Sequence, residues 1–328
     1  MSINNKPKLS IAKQIEHLKQ KGIKFESYSE KEAYAFLQNN SYLFKAKAYL
    51  NTFKEKDSLG KTLEYKDLDF KHLVDLSTID MHFRRFLVRL TLDLEHILKS
   101  KIMRDFNNSP YNGYEIITDF LAQNSYADDF IKNQLNNINR RIEANKDLSA
   151  PTEFILKKYQ GDLAIWNFIE VTQFGIFIEF ANFFYEKHKN KEFDAIKHSL
   201  FNVKFLRNAC AHNNCILANL KDNIRNPQRQ SLDIIFGLKI FKKKDINFIK
   251  KQMMNRSIND FVTTVLVYDK ICRSSHMKYY CYSELYDLMI GRFLKNKDLY
   301  KKSKIIKRRY IFCLRILKFL KNKQELNQ

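Results

Sequence analysis

The chain has 328 residues, with 58 Lys and Arg against 36 Asp and Glu, a formal net charge of +22. That length holds a sizeable core divided among helical subdomains, and that charge suits a polyanionic partner, nucleic acid first. Only 7 Gly and 4 Pro interrupt it, β-type alternation is scarce and no apolar run approaches the roughly 20 residues of a membrane span, so an all-α protein without membrane segments is expected.

Met1 to Lys8 is polar and lacks the apolar core of a signal peptide. The 5 Cys are odd in number and form no C-x-x-C pair, which suits free thiols in a reducing cytoplasm. Cys210, His212 and Cys215 lie close together, but no second pair with zinc-type spacing accompanies them. No metal and no cofactor are expected.

In chain order, Ser10 is placed to cap a helix with apolar Ile11, Ile15 and Leu18, and Gly22 to end it. Ser29 and Glu32 have capping-box spacing before Ala33, Phe36 and Leu37. Gly60 sits in a polar break, so residues 1–62 read as an N-terminal helical subdomain. Leu76, Ile79, Phe83, Phe86, Leu87, Leu90, Leu94 and Ile97 then recur at three- and four-residue steps, the clearest helix of the chain. Asn107 to Gly113 breaks the pattern, residues 116–145 resume it, and Pro151 starts a further segment.

Residues 162–187, with Trp166, Phe168, Ile169, Phe174, Phe177, Ile178, Phe180, Phe183 and Phe184, read as one central core helix. Within it Glu170 and Glu179 call for buried partners, Arg207 or Lys204. Residues 222–231 form a polar loop, which closes a core of residues 63–232. Residues 233–328 form a basic helical extension, with helices near 258–272, 283–294 and 305–320.

Arg207-Asn208-Ala209-Cys210-Ala211-His212 is the chemically informative stretch. Asn208 and His212 are four apart and share a helix face, and the long side chain of Arg207 can reach back toward them. Such a set can grip a phosphate and exchange a proton at neutral pH. The structural alternative is that Arg207 neutralises a carboxylate, Asn208 bridges helices and His212 marks a helix end.

Residues 206–219, Leu-Arg-Asn-Ala-Cys-Ala-His-Asn-Asn-Cys-Ile-Leu-Ala-Asn, resemble the Arg-x4-His signature of the HEPN superfamily, and within it the AbiF-like branch of the bacterial AbiD/AbiF abortive-infection family. Lys6-Pro7 with Leu9-Ser10-Ile11, then Ile79-Asp80 with Arg84, and Trp166, Glu170 and Phe174-Gly175 resemble further parts of that family. The AbiD-like continuation His-x-Arg-Leu-Trp-Asn-Arg is replaced here by Asn213-Asn214-Cys215-Ile216-Leu217.

The resemblance implies a HEPN-type helical bundle with additional N- and C-terminal helices. It also implies a homodimer with a composite cleft, metal-independent endoribonuclease chemistry in phage defence, and regulation by a structured small non-coding RNA. Arg207, Asn208 and His212 are then the catalytic residues, with His212 as acid or base, and Lys204, Asn213 and Asn214 flank them on the RNA.

Residues 295–323 interleave basic and apolar positions as an amphipathic helix would. Lys301, Lys302, Lys304, Lys307, Arg308, Arg309 and Arg315 are expected on an RNA-backbone face. The competing function is a non-catalytic HEPN-type RNA-binding module.

Overall fold

The computed structural model describes residues 8–54, 65, 67–221, 226–227 and 229–326. The Lys6-Pro7 opening, the Gly60 break, and residues 222–225 and 228 of the polar loop lie outside the described residues. Among the described residues the fold is all-α, with no β-strand and one isolated parallel bridge between Lys24 and Asp69. None of these helices is long and apolar enough to cross a membrane.

Local chemistry sets the first boundaries. Ser10 caps α1 (Ile11–Lys19), its hydroxyl accepting from the Lys13 N–H at 3.4 Å. Ser29 and Glu32 form the capping box of α2 (Glu30–Asn39). The short α3 (Leu43–Ala48) and α4 (Leu50–Phe53) follow. The 38-residue α5 (Phe70–Asn107) buries Leu76, Ile79, Phe83, Phe86, Leu87, Leu90 and Leu94 of the expected stripe, while Ile97 is only half-buried and Leu98 is buried beside it. After α6 (Glu115–Gln123) and α7 (Ser125–Glu143), Pro151 opens α8 (Pro151–Tyr159), where Glu153 accepts from the Ser149 and Ala150 N–H groups.

The stretch expected as one helix over 162–187 is two, α9 (Ile165–Val171) and α10 (Phe174–Lys187). Thr172 and Gln173 are extended between them, and the Thr172 hydroxyl bonds back to the Phe168 carbonyl at 2.9 Å. A further correction concerns the two glutamates. Glu170 is exposed, and Glu179 is half-buried and accepts from the Asn124 amide at 2.7 Å. Neither is a buried carboxylate that requires Arg207 or Lys204. Trp166, expected in the core, is 46% exposed.

The chain continues through α11 (Lys191–Asp194), α12 (Leu200–Ala211), α13 (Arg229–Gly237), α14 (Ile246–Met253), α15 (Arg256–Ile271), α16 (Ser275–Ile290) and α17 (Lys304–Glu325). It divides into two compact units, which cut across the sequence divisions at 62 and 232. The first comprises Met1–Leu90, Phe205–Leu266 and Ser274–Gln328, and the second Thr91–Lys204 and Val267–Arg273. The long helices α5, α12 and α15 each contribute residues to both units.

The second unit is centred on phenylalanines. Phe120, Phe168 and Phe180 meet pairwise at ring separations of 5.4–5.7 Å, near edge-on. In the first unit Leu18, Ala33, Tyr49, Phe70, Leu73 and Leu76 form one core cluster. Asp75 is buried there and satisfied by Arg292, Asn296 and Tyr300 at 2.7–3.0 Å.

Candidate functional site

Helix α12 presents the Arg-x4-His stretch because of how its apolar residues are phased. Leu200, Val203, Leu206 and Cys210 are buried, which turns the face carrying Phe205, Asn208 and His212 outward. Asn213 then stops the helix. It adopts φ 54°, a left-handed conformation that asparagine tolerates better than most side chains. Its N–H bonds to the Cys210 carbonyl at 3.0 Å, and the Asn214 N–H reaches the Ala209 carbonyl at 2.8 Å. This pair of bonds is a Schellman ending. His212 is therefore the last residue tied into the helix, through its N–H to the Asn208 carbonyl at 3.0 Å, and it is exposed.

A buried carboxylate on α5 fixes the chain that leaves the helix. Asp80 is fully buried and accepts from the Tyr49 hydroxyl and from Arg84 Nη1, both at 2.6 Å. Backbone N–H groups of Leu217 and Ile216 also favour its charged form. Arg84 Nη1 in turn lies 3.4 Å from the Asn214 carbonyl. Burial outweighs these partners and pushes the Asp80 carboxyl up to about 6. Burial, with the nearby Asp80, also pushes the Cys210 thiol up to about 12, so Cys210 is a neutral core filler.

The outward face of α12 opens into a hollow of ≈ 340 Å³ lined by residues from three elements. Phe205, Asn208 and His212 come from α12 or its end, Asn214 and Ile216 from the following turn, and Arg256, Ser257 and Asp260 from α15. Asn255 caps α15 by accepting from the Ile258 N–H at 3.2 Å, and its amide holds the Asn219 carbonyl at 2.7 Å. Ser257 donates to the Ile216 carbonyl at 2.6 Å. The start of α15 is thus bonded to the stretch that follows His212.

The structure brings Asn208, His212 and Asn214 together around this hollow. Arg207 is half-buried and does not line it; its Nη1 donates to Asn208 Oδ1 at 3.1 Å, so the amide joins the guanidinium to the hollow. Asn213 is exposed and serves as the helix stop. Lys204, within the second unit, lies over Gly175, where a Cβ would stand 2.4 Å from its Nζ.

Phe205, Arg256 and Asp260 were not anticipated at this site. The seven-residue step from Phe205 to His212 and the four-residue step from Arg256 to Asp260 are legible signals, but only folding brings the two helices to one hollow.

The C-terminal basic residues are sorted by α17. Phe312, Cys313, Ile316, Leu317 and Leu320 are buried, and Lys301, Lys302, Lys304, Lys307, Arg308 and Arg315 are exposed. Arg309 does not belong to the exposed face. It is 3% exposed and donates to the carbonyls of Leu220, Lys251 and Gln252 at 2.8–3.3 Å. Burial lowers its guanidinium to about 10. Lys302 pairs with Asp67 at 2.7 Å and Lys301 with Asp298 at 3.0 Å, while Arg315 stacks over Phe241 and donates to the Ile240 carbonyl at 3.1 Å.

Among the described residues, no group of three or more His, Cys, Asp or Glu is arranged to hold a metal ion.

The model of the family described as Abi-like protein matches residues 35–218, more than half of the chain. The match includes Asp80, Arg84, Arg207 and His212 and stops before Arg256 and α17. No curated protein and no solved structure matches the chain.

Proposed function

The chain belongs to the Abi-like protein family, an abortive-infection family, and we propose that within it this protein is a HEPN-type endoribonuclease toxin of phage defence. The observation that carries this reading is the exposed His212 sharing one hollow with Asn208 at the stopped end of the motif helix. The imidazole of histidine can serve as general acid or base toward RNA.

In the proposed reaction the ribose 2′-oxygen attacks the adjacent phosphorus while the bond to the 5′-oxygen breaks. An imidazole takes the 2′-OH proton, and an acid returns a proton to the leaving 5′-oxygen. The same pair in a second copy of the chain lets the acid and base roles separate. Arg207, joined to Asn208, stabilises the negative charge that grows on the phosphate oxygens. Products are a 2′,3′-cyclic phosphate and a 5′-hydroxyl, and DNA, which lacks the 2′-OH, is not cut. The residues carry out these steps without a metal. A structured small RNA made with the protein, in the cytoplasm, would restrain or shape the activity.

The test is RNA cleavage by protein freed of nucleic acid in high salt, with EDTA present and product ends identified. Wild type cuts, and His212→Ala and Arg207→Ala each lose at least about 100-fold. A second reading, an RNA-binding module without catalysis, draws on Arg207 facing Asn208 rather than lining the hollow. Salt-sensitive RNA binding with no cutting by any form would establish that alternative.

A further inference from the structure

We propose that Phe205 and Arg256 form a stacking platform for one unpaired nucleobase beside His212, so that the site takes single-stranded rather than duplex RNA. This rests on the ribonucleolytic reading above for its substrate, and on separate geometry for the platform. Phe205 is a large aromatic residue left 47% exposed in the hollow. The Arg256 guanidinium lies 4.9 Å from its ring centroid, a cation–π distance. Arg256 Nε lies 3.4 Å from Asp260 Oδ2, and Asp260 is itself 6% exposed, so the guanidinium is held from a buried anchor. The result is a guanidinium lying over the face of the ring, with both residues exposed and lining the hollow.

Phe205, Asn208 and His212 stand at i, i+3 and i+7 on one helix face, so ring and imidazole are about 10 Å apart along the axis. Ala209, between them and also lining the hollow, adds almost no bulk. A base stacked on the platform would direct its own sugar and phosphate toward Asn208 and His212. Aromatic and guanidinium planes are what unstacked bases bind. A paired base within an A-form helix cannot present its face this way, and that makes the platform selective for single strands.

The experiment measures binding of a 12-nucleotide single-stranded RNA and of a 12-base-pair RNA duplex to full-length protein carrying His212→Ala, which prevents cutting. Phe205→Ala added to it weakens single-strand binding at least fivefold and leaves duplex binding unchanged, while Phe205→Trp retains the affinity. Because Phe205 is half exposed, its melting temperature stays put, and sedimentation equilibrium shows an unchanged mass. Equal loss for both RNAs, no loss, or a changed mass showing that a second copy covers Phe205 would each overturn the platform. Cleavage is scored separately. If wild type cuts and Phe205→Ala binds and cuts as well as wild type, the platform falls alone. If wild type cuts nothing yet Phe205→Ala loses single-strand binding, the platform stands and the ribonuclease reading falls.

Discussion

Two regions of the first unit carry the chain's most conspicuous polar residues, the end of α12 and the length of α17, and the fold treats them differently. At α12 a short polar run is held in one arrangement by Asn213 in its left-handed conformation and by the buried Asp80–Arg84 pair. Along α17 the cations are divided by burial. Arg309 becomes an internal brace for three backbone carbonyls, Lys301, Lys302 and Arg315 have local partners, and Lys304, Lys307 and Arg308 face solvent. The lesson is that equal charge in sequence has unequal meaning: a buried cation organises the protein, and an exposed one remains available to a polyanion.

The sharpest way to break the α12 arrangement is at its anchor. Arg84→Ala leaves the Asp80 carboxylate buried without its cation and should cost about 3–5 kcal/mol, seen as a lower urea midpoint. His212→Ala, at an exposed helix end, should leave that midpoint within about 0.5 kcal/mol while removing the RNA cleavage proposed above, so the anchor and the proposed chemistry separate by readout.

The pH dependence follows from the same carboxyl. Its value rises on folding from the ordinary 3.8 to about 6, chiefly through burial. Below 3.8 Asp80 is protonated in both states. As pH rises toward 6 the unfolded carboxyl ionises first, and the folded form loses up to about 3 kcal/mol of stability relative to acid conditions. Asp80→Asn should remove this component, so the difference between wild-type and variant stability curves falls between pH 4 and 6 and is flat above pH 7. A flat difference across the whole range would contradict the burial argument.

Along α17 the comparison is between neighbours. Arg309→Met strands the carbonyls of Leu220, Lys251 and Gln252 and should destabilise by about 2–3 kcal/mol. Lys307→Gln with Arg308→Gln should leave stability nearly unchanged and flatten the salt dependence of the proposed single-stranded RNA binding by about 1.4 in log–log slope, two phosphate contacts at about 0.7 each.

The smallest expected effect is at the helix stop. Asn213→Gly should alter stability by a few tenths of a kcal/mol, because glycine accepts φ 54°. Asn213→Val should cost about 1–2 kcal/mol.

By itself the sequence determined much of the local structure. The caps at Ser10 and Ser29, the helix start at Pro151 and the α5 stripe were all legible, because each depends on residues within one or two turns. So was the grouping of Asn208 with His212, since helix geometry alone places residues four apart on one face. The break at Thr172–Gln173 was not. The surrounding apolar run satisfies helical spacing, and only the extended backbone of Thr172 and Gln173 divides it.

Tertiary structure alone decided which polar residues are buried. Asp80 meets Tyr49 from 31 positions earlier, and Arg309 meets Leu220 from 89 positions earlier. It also joined Phe205 and His212 to Arg256 and Asp260 around one hollow. Local pattern fixes which way a side chain leaves its own helix. What it then meets depends on segments far along the chain, which become neighbours only when the apolar faces close on one another.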